Sequence, residues 1–239
     1  MAVKNNKHIA LLLAGGKSSR MNTNRPKQYI EVNGESVLKH TMKAFQTHPL
    51  IQDIYVVCAR GWEDTVCDEA QSGEISKFRH TIKGGETSFQ SLKNGITFLL
   101  QEGKDTESIV LVHDAVRPLI SQDVISRNIA VCLTHGNAIT AVRSQEAFLV
   151  SENGSSSNSY IPRENLLRAQ TPHTFPLKTL KDMMEQAQEK GITKTQSLFT
   201  LANELGFLPL HIAQGDIMNF KLTYPNDILI YQALKTLEE

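Results

Sequence analysis

Short apolar runs alternate with longer amphipathic segments over the first 142 residues of this 239-residue chain. The apolar runs have the length of buried strands. They predict strands at His8–Ala14, 54–59, 78–82, 108–113 and 138–142. Apolar residues between the runs recur at helical spacing and predict helices at 35–46, 62–71, 87–100 and 121–133. This alternation predicts an α/β protein with a mainly parallel sheet covered by helices on both faces.

The alternation stops between Arg143 and Thr174. Because a polar, turn-like tract lies at 154–159, residues 148–161 are predicted to form a hairpin-like arm. An isolated hairpin is only marginally stable, which favours pairing of the arm with a second subunit. Further helices are predicted at 177–188, 195–205 and 226–237, and strands near 207–212 and 219–223. We expect one domain over residues 1–239, with a dimerisation arm at about 143–170.

Composition and charge exclude several classes of protein. Acidic and basic residues balance at 25 each, so no overall charge favours nucleic acid or a membrane surface. The cysteines at 58, 67 and 132 are widely spaced, which argues against a disulfide scaffold or a zinc site. No apolar stretch has the length of a membrane span, and the apolar core after Lys7 is too short for a secretory signal. We expect a cytoplasmic protein that binds neither nucleic acid nor membranes.

The first predicted strand ends in the sequence LLLAGGKSSRM, residues 11–21. A Walker A loop would need a glycine at Leu11, and a dinucleotide fingerprint needs a different glycine spacing, so both are excluded. Main-chain N–H groups at 15–19 can approach a phosphate closely, and four cations follow within one loop: Lys17, Arg20, Arg25 and Lys27. The loop is therefore either an anion site or a solvated basic segment.

Two more polar loops follow predicted strands and are expected to face the same crevice, beyond the carboxyl ends of the strands. The sequence GGETS, residues 84–88, opens a helix and could hold an anion or a base edge, or could be only a turn. In HDAVRP, residues 113–118, Asp114 is well placed to hold a divalent metal, or it could simply pair with Arg117. His113 is expected to be packed or hydrogen-bonded rather than a ligand.

A late segment, NFKLTYPND at 219–227, carries polar residues in alternation. In a strand, Asn219, Lys221 and Thr223 would point to the same face. Such a face suits a phosphate, but it is equally typical of a solvated edge strand.

Taken together and in order, five segments have a specific match: LLLAGGKSSRM…RPKQY, GGETSFQS, LVHDAVRP, RAQTPHTF and NFKLTYPND. They resemble the cytidylyltransferases that act on sugar-alcohol phosphates, over residues 9–233. The family has two branches, which act on 2-C-methyl-D-erythritol 4-phosphate in isoprenoid synthesis and on ribitol 5-phosphate for cell-surface polymers. The resemblance implies a Rossmann-like nucleotidyltransferase fold, Mg²⁺ as the cofactor, CTP as the nucleotide substrate, and a homodimer.

The resemblance also implies a role for each matched residue. Nucleotide contacts fall to Ala14, Gly15, Gly16, Lys17, Gly85, Glu86 and Ser91. The catalytic cations are Arg20, Lys27 and Lys221, and Asp114 lies near the metal and the sugar-alcohol. The second substrate is bound by Asp114, Arg163, Thr171, Thr195 and Lys221, with Arg163 supplied by the partner subunit. A site rich in cations suits phosphoryl transfer from CTP to a phosphate monoester, which is already ionised near neutral pH and needs no general base.

The chain departs from the family at Ser88, where an Arg is usual, and at Ser144 and Gln145, where Asp-Thr is usual. The acidic pair that usually follows Thr195 is replaced by Gln-Ser. These departures concern the choice of acceptor, and Val116 favours the ribitol branch over the methylerythritol branch. A non-catalytic nucleotide-binding relative is an alternative. A glycosyltransferase is remote, since the middle loop lacks an Asp-x-Asp motif.

Overall fold

The computed structural model describes residues 7–16 and 25–237. Strands β1–β11 cover, in chain order, His8–Ala14, Glu31–Val32, Glu35–Ser36, Asp53–Cys58, Phe78–Lys83, Ile109–Asp114, Ala138–Arg143, Phe148–Val150, Ser159–Ile161, Leu167–Pro176 and Ile212–Gln214. Helices α1–α7 cover Val37–Gln46, Glu63–Ser72, Ser88–Gln101, Gln122–His135, Leu177–Glu189, Leu198–Glu204 and Pro225–Thr236.

The central sheet of the described chain has seven strands in the order β11-β7-β10-β6-β1-β4-β5. Its ladders are parallel except for the two made by β10, which runs antiparallel to both β6 and β7. The predicted α/β class and the mainly parallel sheet are confirmed. Because β1, β5 and β6 run in the same direction, the three polar loops that follow them leave from the same end of the sheet.

The helices cover both faces of the sheet, as the alternation of strands and helices along the chain predicts. Ala10 and Leu12 point to the side covered by α1, α2 and α4, whereas Ile9 and Leu11 pack on the side covered by α3, α5 and α6. All four side chains are fully buried, which explains why β1 is apolar at successive positions instead of alternating. The two cores hold the edge of the sheet rigid behind the loops.

Several predicted elements need correction. The predicted strand at 219–223 is wrong, because the N–H groups of Thr223 and Tyr224 donate to the Asp227 carboxylate at the start of α7 instead of joining a ladder. The helix predicted at 195–205 begins only at Leu198, which leaves Thr195 in a loop. The strand near 207–212 forms later, as β11, and the ten-residue β10 was not predicted. The remaining predicted strands and helices form within a few residues of their predicted bounds.

The predicted arm forms a two-stranded hairpin of β8 and β9. Its apolar side chains are exposed within the single chain, with Leu149 at 75% and Tyr160 at 72%. No helix of the described residues is both long and apolar enough to cross a membrane.

Candidate functional site

The three polar loops expected to face one crevice do meet, around a cleft of about 390 Å³. The cleft brings together nine residues predicted from the sequence: Ala14, Gly15, Gly16, Lys27, Gly85, Glu86, Ser91, Asp114 and Lys221. Of the other three cations of the first loop, Lys17 and Arg20 lie outside the described residues, and Arg25 pairs with Glu31 at 3.0 Å.

The first loop is held by Gln28, a residue that the sequence analysis did not single out. Its side-chain amide donates to the carbonyl oxygens of Ala14 at 2.6 Å and Gly16 at 3.1 Å. Gln28 is almost completely buried, in a short 3₁₀ turn that also contains Lys27 and Tyr29. These two hydrogen bonds fix the path of the backbone at Gly15 and Gly16. In the sequence Gln28 is only one residue of the RPKQY segment, and no local pattern distinguishes it from a surface glutamine.

The second loop packs tightly against the first and is braced by its own side chains. A Cβ on Gly84 would lie 2.7 Å from the Cys58 carbonyl oxygen, so only glycine lets the chain pass this close to the end of β4. The Gly85 N–H donates to Ser91 Oγ at 3.0 Å, and the Glu86 N–H donates to Gln90 Oε1 at 3.1 Å. The sequence analysis allowed this loop to hold an anion or a base edge. The N–H groups of Gly85 and Glu86 are instead hydrogen-bonded within the loop and the start of α3.

The third loop carries a cluster of three charges. Arg117 Nε lies 3.0 Å and Lys221 Nζ 3.2 Å from Oδ2 of Asp114. Burial alone would raise the pKa of Asp114, but the charges of Lys221 and Arg117, with the hydrogen bond from Arg117, outweigh it and hold the pKa well below its ordinary value. The carboxylate is therefore ionised throughout the neutral range. Pairing with Arg117, the simpler of the two interpretations of HDAVRP, is observed.

The cluster is tied to the rest of the fold by buried side chains. Arg117 also donates to the backbone oxygen of Asn219 at 2.8 Å, and the Asn219 amide donates to Thr171 O at 2.8 Å. Asn219 is fully buried behind the cleft, while Lys221 and Thr223 line it. The prediction that these three residues share one face is wrong for Asn219, since the segment is not a strand.

The hydroxyl of Thr171 is used within the protein. It accepts the Asp114 N–H at 3.0 Å and lies 3.0 Å from Nδ1 of His113. Nε2 of His113 lies 3.2 Å from the Arg117 carbonyl oxygen, which can only accept, so Nε2 carries the proton. Burial lowers the pKa of His113 to about 3, and in the neutral ring Nδ1 must accept the Thr171 proton. His113 is thus a packed, hydrogen-bonded residue, as expected.

A second cavity of about 190 Å³ adjoins the cleft and shares Asp114, Lys221 and Ser88 with it. Thr171 and Thr195 line this second cavity, which therefore collects the residues predicted to bind a second substrate. Arg163 is the exception. It is exposed in a 3₁₀ turn after β9 and lines neither cavity of its own chain.

The donor groups available to a metal are few. Within residues 7–16 and 25–237, no group of three or more His, Cys, Asp or Glu side chains is placed to hold an ion. The Asp114 carboxylate belongs to the charge cluster in the cleft. Arg117 and Lys221 both approach its Oδ2, so within the described residues Oδ1 is left for another ligand. One carboxylate suits Mg²⁺ when phosphate oxygens and water complete the coordination, as is common at nucleotide sites.

Known proteins resemble this chain over nearly its full length. The family model described as IspD, 2-C-methyl-D-erythritol 4-phosphate cytidylyltransferase, matches residues 8–236. A ribitol-5-phosphate cytidylyltransferase of Lacticaseibacillus paracasei is 33% identical over 226 residues, which cover 94% of this chain and 96% of the relative. A 2-C-methyl-D-erythritol 4-phosphate cytidylyltransferase of Geotalea uraniireducens is 32% identical over 226 residues, 94% of each chain. A crystal structure of 4-diphosphocytidyl-2C-methyl-D-erythritol synthase is 28% identical with a TM-score of 0.77, covering 96% of this chain and 98% of that one.

Proposed function

Because this chain belongs to the IspD family and is a cytidylyltransferase, we propose that it transfers CMP from CTP to ribitol 5-phosphate, with CDP-ribitol and pyrophosphate as products. The observation that carries the proposal is the connection of the two cavities at Asp114 and Lys221. The larger cleft, with the glycine loops and Lys27, takes the CTP triphosphate. The smaller one takes the acceptor, whose phosphate then lies at Lys221, where the two cavities join.

The reaction needs two anions to meet. An oxygen of the acceptor phosphate attacks the α-phosphorus of CTP, the new P–O bond forms, and the bond to the β-phosphate oxygen breaks as pyrophosphate leaves. The attacking monoester is already ionised, with a second pKa of about 6, so the site needs cations rather than a base. Lys27 on the triphosphate side and Lys221 on the acceptor side stabilise this charge, and Arg20 is assigned to the triphosphate with Lys27.

Family members depend on a divalent cation, and the described donors fit Mg²⁺ held by Asp114 together with substrate phosphates. Bound there, the ion would neutralise charge on the phosphates and orient them. The Arg117 and Lys221 contacts hold the pKa of Asp114 below its ordinary value, so the carboxylate is ionised and can act as a ligand throughout the neutral range.

The acceptor assignment favours ribitol 5-phosphate for two reasons. Val116 in HDAVRP favours the ribitol branch, and the relative from Lacticaseibacillus paracasei bears the ribitol name. The alternative is 2-C-methyl-D-erythritol 4-phosphate, which is supported by the family model and by the relative from Geotalea uraniireducens. Ser144 and Gln145 lie at the base of the arm and line neither cavity of their own chain, so they would act across a subunit interface.

The arm completes the proposal. With its apolar residues exposed, it would pair with a second copy and carry Arg163 to the acceptor cavity of the partner. The chain then acts as one catalytic domain with a dimerisation arm. Mixing Arg163→Ala and Lys27→Ala proteins tests this arrangement, because a mixed dimer contains one site with both native residues. Partial recovery of activity supports the assignment. Absence of recovery in dimers shown to have exchanged subunits contradicts it.

The function is tested by pyrophosphate release with CTP and Mg²⁺, comparing ribitol 5-phosphate, 2-C-methyl-D-erythritol 4-phosphate and other polyol phosphates. A preference for ribitol 5-phosphate supports the proposal, and a preference for methylerythritol phosphate replaces the acceptor. CTP binding without turnover on any acceptor would favour a non-catalytic protein. Lys27→Ala is expected to lose turnover by orders of magnitude while the fold survives. Lys93→Ala is the matched control, because Lys93 is a half-buried lysine that contacts Gln188 and lines neither cavity.

A further inference from the structure

A buried histidine on the wall of the smaller cavity has a nitrogen without a partner. His173 lies in β10, is 5% exposed and lines the cavity. Among the described residues, its Nε2 is buried and has no hydrogen-bond partner. An unpaired polar atom in such a place is costly, and native proteins rarely leave one without a reason.

The ring of His173 is neutral near pH 7, because burial lowers its pKa to about 4. In a neutral ring Nε2 either accepts a hydrogen bond or donates one, according to the tautomer. A hydroxyl group can both donate and accept, so it can satisfy Nε2 in either tautomer.

Apolar side chains form part of the surroundings of the ring. Phe199 meets it edge-on, with ring centroids 5.6 Å apart, and Leu92 and Leu198 line the same cavity. The hydroxyls of Thr171 and Thr174, the nearest polar side chains along the strand, already make hydrogen bonds within the protein. A polar group that enters the cavity can therefore satisfy Nε2, in a buried setting where a hydrogen bond discriminates strongly.

We propose that His173 is a specificity-determining residue whose Nε2 forms a hydrogen bond with a hydroxyl group on the carbon chain of the acceptor. This inference rests on the proposed function and adds to it the group that recognises the polyol. With the acceptor phosphate held at Lys221, the chain extends into the cavity toward His173. A hydroxyl at that carbon satisfies the nitrogen, whereas hydrogen leaves it unpaired. The site thereby selects an acceptor by the presence of this hydroxyl.

The test compares wild-type protein with His173→Leu, which removes the ring nitrogen, and His173→Gln, whose side-chain amide can replace it. For ribitol 5-phosphate, His173→Leu is expected to raise KM about 5- to 150-fold, the effect of one buried group losing its partner, with the CTP Kd unchanged. His173→Gln should recover much of the loss. His48→Leu is the matched control, because His48 is a buried histidine that contacts Ser126 and lines neither cavity.

Deoxy analogues of ribitol 5-phosphate, each lacking one hydroxyl, separate recognition from a structural role. One analogue should lose affinity with the wild-type protein and lose nothing further with His173→Leu. The inference is overturned if His173→Leu leaves the acceptor KM unchanged, weakens CTP binding equally, or weakens all analogues in parallel. If wild-type protein turns over no polyol phosphate, the proposed function fails and the inference falls with it. Turnover by wild type with an unaffected His173→Leu variant removes the inference alone.

Discussion

The hydroxyl of Thr171 is expected to position the third loop rather than to donate to a substrate, and Thr171→Val tests this. Valine has nearly the same shape but no hydroxyl, so the Asp114 N–H and Nδ1 of His113 lose their partner. Each buried group left unpaired costs about 1–3 kcal/mol. Because water from the cleft can reach the Asp114 amide, we expect a combined loss of about 2–4 kcal/mol in the free energy of unfolding.

The assay is urea unfolding followed together with steady-state kinetics. With a denaturant slope of about 3 kcal/mol per M, the midpoint should fall by about 0.7–1.3 M. Turnover efficiency should fall by about 10- to 100-fold, since the Asp114 carboxylate is no longer held in place. Thr171→Ser keeps the hydroxyl and should behave nearly as wild type.

A control on the same strand separates stability from activity. Thr174 Oγ1 donates to Asn128 Oδ1 at 3.2 Å and lines neither cavity. Thr174→Val should therefore lower stability and leave the kinetic constants unchanged. The reasoning is refuted if Thr171→Val unfolds like wild type and raises only the KM of the acceptor, because Thr171 would then act by touching the substrate.

Three further perturbations test other parts of the structure. Gln28→Leu removes the two hydrogen bonds to the carbonyl oxygens of Ala14 and Gly16. At about 1 kcal/mol for each lost bond, calorimetry should show CTP binding weakened by up to about 30-fold with little change in the fold; unchanged binding would contradict the role given to Gln28. The pKa of His173 is lowered to about 4 from an ordinary 6.5, so the unfolded state binds more protons between these values. The free energy of unfolding should therefore fall as pH drops from about 6.5 towards 4. In urea unfolding at a series of pH values, the free energy of unfolding of His173→Gln should depend less steeply on pH than that of the wild type, by up to about 1.4 kcal/mol per pH unit. Leu149→Glu places a charge on the exposed apolar arm and should yield monomers in sedimentation experiments, whereas a wild-type protein that is itself monomeric would refute the dimer.

The sequence by itself determined most of the strands, most of the helices and the three loops at one end of the sheet. These features follow from local properties: the spacing of apolar residues decides between strand and helix, and glycine marks the tight turns after strands. The N-cap of α4 is equally local, since the Ser121 side chain accepts the N–H of Val124, three residues later. Resemblance to a family then supplied the nucleotide, which no spacing could identify.

Only the tertiary structure decided how the charges of the cleft are held. Strand β10 inserts antiparallel between β6 and β7, and this places Thr171 against Asp114, 57 residues earlier in the chain. The bond from Arg117 to Asn219 spans 102 residues. Contacts of this kind depend on which strands become neighbours, a choice made by the packing of the whole sheet. For the same reason the unpaired nitrogen of His173 could not be predicted from the sequence. Whether a side-chain atom has a hydrogen-bond partner depends on the neighbours that the fold brings to it.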